Sequence, residues 1–313
     1  MPQFNPSVDI PDLGEKICLV TGANSGLGEA AVKALAQHNP KKIYLAARSR
    51  VRAEEALERI RSSSKTASTA NVEILDLDLA SLQSVKAAAA RVASEADRLD
   101  ILHLNGGVAM VPHTTTKEGY EIQLGTNHVG HALLTQLLLP LMLETAKLPG
   151  ADVRIVSTTS ASHKIFGLKD GIEFDHLKSD MKSFTGRALY AQSMLTKSLF
   201  VYELAKRYPR ITSSSVHPGG VKTGAYSGDK DLPWAIRYLI LKPALALTGV
   251  TPDEGAKTAL WASFSKGVIN GRYYEPIGAA GRESKQTNDD GLAKRLWDWT
   301  GEELAKNGGP GWP

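Results

Sequence analysis

The stretch Lys16-Ile-Cys-Leu-Val-Thr-Gly-Ala-Asn-Ser-Gly-Leu-Gly28 decides the fold of this chain. Its apolar run, Ile17 to Val20, is typical of a strand that is buried on both faces. A glycine turn follows, and a segment rich in helix formers then extends to His38. Strand, turn and helix in this order direct backbone N–H groups and the positive end of a helix dipole at one point. The stretch therefore predicts a phosphate site, and the alternative is a glycine-rich turn that binds nothing.

Composition excludes several classes of protein. The 313 residues include 37 basic and 33 acidic side chains, and no basic run with interleaved aromatic residues points to nucleic acid. The single cysteine, Cys18, cannot form an internal disulfide, which favours a reducing, cytoplasmic setting. The apolar stretch 132–143 is too short to span a bilayer, so we expect no integral membrane segment.

Strand-like and helix-like segments alternate along the rest of the chain. Strands are predicted at 42–47, 71–80, 99–107, 153–157, 211–217 and 272–276, and 62–70 is predicted to be a Ser/Thr/Ala loop. Ser81 is expected to cap a helix, and a long helix is predicted over 116–143. This pattern indicates an α/β fold with a parallel, doubly wound sheet of about seven strands and helices on both faces. We divide it into an arm (1–15), one large domain (16–285) and a closing helix and tail (286–313).

The ends of the second and third strands carry charged residues. In dinucleotide-binding folds the residue after the second strand lies beside the adenosine ribose, where an acid favours NAD. Arg48 stands there and favours the 2′-phosphate of NADP, the alternative being an ordinary solvated arginine. Asp78 could accept a hydrogen bond from the adenine amino group, although Asp76 and Asp78 are equally acceptable as turn residues.

Together these residues resemble a known family. Thr21-Gly-x-x-x-Gly-x-Gly28, Asn105-Gly-Gly107, Asn127, Ser160, Tyr190 and Pro218-Gly219 resemble the short-chain dehydrogenase/reductases, from about Lys16 to Gly278. Finer features are similar to the retinol dehydrogenase and WW-domain-oxidoreductase-like branch, without a WW domain. They are Gly125-Thr-Asn-His-Val-Gly-His131, Ser160-Ala-Ser-His163, His217-Pro-Gly-Gly-Val-Lys-Thr223 and Asn270-Gly-Arg-Tyr-Tyr274.

The resemblance implies a Rossmann fold, NADP(H) as the cofactor and a set of site residues. Ser160 would polarise a carbonyl group, Tyr190 would pass a proton, and Asn127 would hold a water molecule. The residues that would contact the cofactor are Gly22, Asn24, Ser25, Gly26, Leu27, Arg48, Asp78, Leu79, Asn105, Gly106, Tyr190, Pro218, Gly219, Val221 and Thr223. No metal site is implied. Relatives pair through their long helices, so a homodimer or homotetramer is an expectation, and similar chains serve fungal secondary metabolism.

One position departs from the family pattern. The resemblance implies a lysine four residues after the tyrosine, and this chain has Met194. A cation about 4 Å from the phenol is worth about 4 kcal/mol, or roughly three pKa units, at an effective dielectric near 20. Without it Tyr190 should remain a neutral phenol, which impairs alcohol oxidation more than carbonyl reduction.

Other cations stand near the tyrosine in the sequence. Lys197 shares a helix face with Tyr190, but we favour a packed or solvated role for it over a substitute for the missing lysine. His163 and Lys164 are further candidates, and the simplest interpretation of both is loop surface.

Two functions follow from this site. The first is NADPH-dependent reduction of a carbonyl group in a hydrophobic small molecule, such as a polycyclic or secondary metabolite. The alternative is a non-redox cyclase, isomerase or dehydratase that binds NADP and uses Tyr190 and Ser160 as hydrogen-bond donors, and binding without turnover is least favoured. The apolar residues 224–250 are predicted to form a small helical substrate lid, with core packing or membrane-surface contact as alternatives.

Overall fold

The computed structural model describes residues 3–222 and 249–313, and these contain a seven-stranded parallel sheet. The strands, in chain order, are β1 (Ile17–Thr21), β2 (Lys42–Ala47), β3 (Val72–Asp76), β4 (Ile101–Leu104), β5 (Arg154–Thr158), β6 (Thr212–Val216) and β7 (Tyr273–Tyr274). Their spatial order is β3-β2-β1-β4-β5-β6-β7. The prediction of about seven parallel strands is confirmed.

The helices connect these strands. They are α1 (Pro6–Asp9), α2 (Gly26–Ala36), α3 (Arg50–Arg61), α4 (Lys65–Thr69), α5 (Leu82–Glu95), α6 (Ile122–Leu124), α7 (Gly130–Thr145), α8 (Ser162–Ile165), α9 (Gly186–Arg207), α10 (Pro252–Phe264) and α11 (Asp290–Lys306). A π-helical turn, Gly125–Val129, joins α6 to α7. None of the helices within these residues combines the length and the apolar character needed to cross a membrane.

The sheet is covered on both faces, because every residue of its interior strands β1 and β4 is buried. Helices α2, α3 and α10 contribute to one apolar core, which includes Val32, Ile60 and Leu260. Helices α5, α7, α9 and α11 contribute to the other, which includes Val85, Leu134 and Leu296. The doubly wound architecture that the alternating pattern predicted is therefore confirmed.

The direction of winding reverses at β1, which pairs with β2 on one side and with β4 on the other. In an open parallel sheet, such a reversal leaves a crevice at the carboxyl ends of the strands. The glycine turn after β1 and the Asn105-Gly-Gly107 turn after β4 both lie at this crevice. The topology therefore places the two glycine-rich segments side by side.

Two element predictions were wrong. The helix predicted from residue 116 begins at Ile122, because Glu121 accepts hydrogen bonds from the N–H groups of Gln123 and Leu124 and so caps a new helix. The segment 62–70, predicted to be a loop, contains the short helix α4, whose N-cap Ser64 accepts from the N–H of Ala67.

Other predictions lie beyond what the structure describes. Residues 224–248 of the predicted lid, and Thr223, lie outside the described residues. The divisions at residues 15 and 285 stay predictions. In the predicted tail, Trp297 of α11 stacks on Phe200 of α9, with ring centroids 5.6 Å apart.

Candidate active site

The glycine turn after β1 is closely packed. Gly22 and Gly26 have positive φ values of 65° and 58°, a conformation that side-chain-bearing residues rarely adopt. A Cβ atom on Gly22 would lie 2.6 Å from the Cα of Gly106, and one on Gly28 would collide with the carbonyl oxygen of Gly22. The glycines therefore let β1, α2 and the turn after β4 approach one another.

The start of α2 is suited to an anion. Its N-cap residue, Ser25, is exposed, and its side chain makes no capping hydrogen bond. The first N–H groups of an α-helix have no partner within the helix, and the helix dipole adds positive potential at the same place. Backbone geometry and electrostatics at this turn thus fit a phosphate group.

Hydrogen bonds hold the turn after β4 against β1. The side-chain amide of Asn105 donates to the carbonyl oxygen of Thr21 at 2.9 Å, and the N–H of Gly106 donates to Thr21 Oγ1 at 2.9 Å. A Cβ on Gly106 would lie 2.9 Å from a methyl carbon of Leu79. Asn105 and Leu79 therefore shape the crevice through packing as well as through any contact with a ligand.

Arg48 and Asp78 lie at the outer part of the crevice, after β2 and β3. Arg48 is exposed, whereas Arg50 is bound to Asp76, with 2.9 Å between nitrogen and oxygen. One carboxylate oxygen of Asp78 accepts a hydrogen bond from the N–H of Ala80 at 3.0 Å. Asp78 is thus a turn residue, and its second oxygen has no partner among the hydrogen bonds found in the described residues.

A cavity of about 180 Å³ continues the crevice beyond β4. It brings together nine of the predicted site residues, which are Leu27, Asn105, Gly106, Asn127, Ser160, Tyr190, Pro218, Gly219 and Val221. Gly22, Asn24, Ser25, Gly26, Arg48, Asp78 and Leu79 do not line it. This division fits an elongated ligand whose phosphate end lies on α2 and whose other end enters the cavity.

Asn127 lies in the π-helical turn, a feature found often at functional sites. Its side-chain oxygen accepts from the N–H of Val108 at 2.8 Å, and its amide donates to the carbonyl oxygen of Val108 at 2.9 Å. The same amide donates to Ser193 Oγ at 3.0 Å. The side chain of Asn127 is therefore committed to holding the loop after β4 and helix α9 in place.

Ser160 and Tyr190 come to the cavity from different elements. Ser160 follows β5 and is 7% exposed, and its Oγ accepts a hydrogen bond from the N–H of Ser162 at 3.2 Å. Tyr190 lies in the second turn of α9 and is half-buried. Both residues line the cavity, so a hydroxyl and a phenol border one space.

His163 and Lys164, the candidate cations that follow Ser160 in the sequence, do not supply a positive charge to this cavity. His163 is 2% exposed, which contradicts its interpretation as loop surface, and its Nδ1 donates to the carbonyl oxygen of Ser160. Burial is the main cause that lowers the pKa of His163, so its ring is neutral at pH 7. Lys164 forms an ion pair with Glu275.

Met194 and Lys197 are both buried and both line the cavity. The backbone carbonyl of Met194 accepts a hydrogen bond from Thr159 Oγ1 at 2.8 Å, which joins α9 to the loop after β5. Lys197 is 3% exposed, and its Nζ donates to the carbonyl oxygen of Leu104 at 2.9 Å. The structure thus excludes a solvated Lys197 and places its buried side chain at the cavity.

Sequence reasoning missed several lining residues, including His217. Burial lowers the pKa of His217 to about 4, and its Nδ1 has no hydrogen-bond partner among the described residues. The sequence did offer one indication of a role for His217, its position directly after β6, at the carboxyl end of a parallel strand.

No group of three or more His, Cys, Asp or Glu side chains in the described ranges is arranged to hold a metal ion.

The fold and the crevice define a Rossmann-type, dinucleotide-binding α/β protein. A family model for short chain dehydrogenase matches residues 16–167. The chain is 38% identical over 296 residues to a short-chain dehydrogenase/reductase of Armillaria gallica, covering 93% of this chain and 91% of that protein. It is 35% identical over 303 residues to human retinol dehydrogenase 14, covering 90% of this chain and 84% of the relative.

This chain belongs to the short-chain dehydrogenase/reductase family and is an oxidoreductase of that type. Among solved structures, it resembles an uncharacterized protein from Mycobacterium paratuberculosis with a TM-score of 0.73 and 26% identity. That alignment covers 96% of this chain and 97% of the other. The family uses nicotinamide dinucleotides, and the close-packed glycine turn, the start of α2 and the adjoining cavity fit such a cofactor.

Proposed function

We propose that this protein is an NADPH-dependent reductase that acts on a carbonyl group of a hydrophobic small molecule. The observation that carries the proposal is the meeting of Ser160 and Tyr190 at a cavity that continues from the dinucleotide crevice. When bound, the reduced dinucleotide supplies a hydride to the carbonyl carbon. The residues of the chain then have to orient the carbonyl group and provide a proton to its oxygen.

Ser160 and Tyr190 suit these two tasks. A hydroxyl and a neutral phenol each donate one hydrogen bond, so both can point a donor at the same carbonyl oxygen. Tyr190 is the stronger acid of the two and would deliver the proton as negative charge develops on that oxygen. Asn127 acts on Tyr190 indirectly. Its amide donates to Ser193, whose hydroxyl donates to the carbonyl oxygen of Tyr190.

Arg48 supports NADPH over NADH. Its guanidinium is exposed at the carboxyl end of β2, where family members hold the adenosine ribose, and it can donate two parallel hydrogen bonds to a phosphate. Arg50 is bound to Asp76, whereas no ion pair is found for the exposed Arg48 among the described residues.

The walls of the cavity support a hydrophobic substrate. Leu27, Val108, Ala109, Met194 and Val221 line the space beside the two hydroxyl groups. Several curated relatives are named retinol dehydrogenases, and retinol is a hydrophobic alcohol. A polycyclic or secondary-metabolite ketone or aldehyde is consistent with these walls.

The test uses purified protein, NADPH and a panel of hydrophobic ketones and aldehydes, and it follows loss of the reduced nicotinamide absorbance. We expect turnover with at least one panel member, and a loss of about 10²- to 10⁴-fold in kcat for Tyr190→Phe. NADPH affinity, measured by fluorescence, should fall far less than kcat in Tyr190→Phe. Equal turnover by the two proteins would exclude Tyr190 as the proton donor, and turnover without net NADPH consumption would favour the non-redox alternative.

A further inference from the structure

Lys197 carries the buried amine that lies beside the cavity described above. It lies on α9, seven residues after Tyr190, and its Nζ reaches the carbonyl oxygen of Leu104 at 2.9 Å. Leu104 is the last residue of β4 and directly precedes Asn105, which lines the crevice. An ammonium has three donors, so the bond to Leu104 leaves two that can serve other acceptors at this end of the cavity.

Packing alone does not account for this side chain. Among the described residues, no carboxylate forms an ion pair with Lys197, and burial is the one cause found for its altered pKa. An unpaired buried charge is costly, whereas an apolar side chain of similar length would carry no such cost. Met194, one turn earlier, shows that this helix face accepts such a side chain beside the cavity.

The titratable groups that face the amine are histidines on the π-helical turn and α7. The Nδ1 atom of His131 lies 3.5 Å from Lys197 Nζ and also bonds to the carbonyl oxygen of Asn127 at 2.9 Å. Burial, together with the charge of Lys197, lowers the pKa of His131 well below its usual value and that of His128 to about 3. Both rings are therefore neutral at pH 7, and Lys197 is the group of the three that can change charge there.

Burial lowers the pKa of Lys197 from 10.5 to about 7. An amine in this range is half protonated at neutral pH, and a nearby negative charge favours its protonated form. An anionic dinucleotide in the crevice, with its phosphate groups at the start of α2, would act in that direction.

We propose that Lys197 is the cation of this site and that it takes up a proton when a negatively charged dinucleotide occupies the adjoining crevice. This inference rests on the cofactor binding put forward under the proposed function. Lys197 is then a positioning residue that becomes charged when the dinucleotide binds. It takes the place of a permanently charged lysine at position 194. Since the oxidised nicotinamide ring carries a positive charge, the same ammonium favours the reduced dinucleotide.

The test is calorimetric titration of the whole protein with NADPH in buffers that differ in ionisation enthalpy, which counts the protons bound along with the ligand. Near pH 8 we expect uptake of about half a proton or more per site. Lys197→Met should abolish that uptake and weaken NADPH binding at pH 6 by about tenfold while leaving it nearly unchanged at pH 9, where the unliganded amine is neutral. Ionisation of the 2′-phosphate is common to both proteins and cancels in the comparison.

Binding of NADPH without uptake of a proton by the wild-type protein overturns the inference and leaves the proposed function intact. Absence of any NADPH binding overturns both. If Lys197→Met does not fold, the wild-type protein alone decides, because the uptake must grow between pH 6 and pH 8. An uptake that is the same at these two pH values contradicts the role of Lys197.

Discussion

Asn127 is joined to Ser193 by a hydrogen bond of 3.0 Å, and Ser193 Oγ in turn donates to the carbonyl oxygen of Tyr190 at 2.8 Å. These two bonds connect the π-helical turn to the helix turn that carries the phenol. Asn127 also holds the backbone of Val108 through two further bonds. The position of Tyr190 thus depends on a side chain that lies 63 residues earlier in the chain.

Replacing Asn127 should destabilise the protein more than replacing Ser193. Asn127→Ala leaves the N–H and C=O of Val108 and the hydroxyl of Ser193 without their partner, and we expect a loss of about 2–3 kcal/mol in the free energy of unfolding. Ser193→Ala is the matched control, with an expected loss of about 1 kcal/mol. Urea unfolding of the three proteins measures both values, and equal losses would contradict the central place of Asn127.

Introducing a lysine at position 194 should raise reductase activity. Met194 lines the cavity beside Tyr190, and a charge there would stabilise the developing phenolate. We expect Met194→Lys to increase kcat/KM with NADPH at pH 7 by about tenfold, which corresponds to about 1.4 kcal/mol. Met194→Gln has a similar length without the charge and should show no increase. Identical kinetics for the two variants would mean that charge at this position does not reach the phenol.

The burial of Lys197 should make stability depend on pH. Its pKa is about 7 in the folded protein and 10.5 when unperturbed, so between these values the unfolded chain binds the extra proton. The free energy of unfolding should therefore rise with pH, by about 2 kcal/mol between pH 7 and pH 9, and the contribution is constant below the folded pKa. Urea unfolding of wild type and Lys197→Met across this range isolates the effect. A difference between the two proteins that stays constant with pH would contradict it.

Replacing Arg48 should reverse the cofactor preference. If Arg48 binds the 2′-phosphate as proposed, Arg48→Asp removes that charge-assisted partner and adds repulsion, so the ratio of NADH to NADPH affinity should rise about 10- to 100-fold. Arg52→Asp makes the same change of net charge at another exposed position of the segment and is the control. Dissociation constants for both dinucleotides measure the ratio. The same change in both variants would assign the effect to overall charge.

Local signals in the sequence predicted much of the fold because they act over a few residues. The strand predicted at 42–47 has the observed bounds, since its apolar run is buried against neighbours on both sides. Ser81 caps α5 as expected, accepting from the N–H of Ser84. The glycine turn was predicted from the glycines between an apolar run and a helix-forming segment, and in the structure Gly22 and Gly26 have the positive φ values that favour glycine.

Two predictions failed because partners distant in the chain decide the structure. The start of α6 at Ile122 depends on the cap that Glu121 provides, and the N–H of Glu121 itself bonds to the carbonyl oxygen of Leu177, far along the chain. The burial of His163 likewise depends on Tyr273, whose ring lies edge-on at 5.2 Å between centroids. Helical and loop propensities carry no information about such contacts.

The sequence alone determined the alternation of strands and helices and the glycine turn. It also singled out Ser160, Tyr190 and Met194 as residues of the candidate site, because each of these inferences rests on residue type or on spacing within one element. Only the tertiary structure decided the state of Lys197. Its amine bonds to Leu104, which lies 93 residues away in the chain, and the protein around it removes water. Desolvation depends on everything packed around a group, so a charge that looks ordinary in the sequence becomes titratable near neutral pH only in the folded chain.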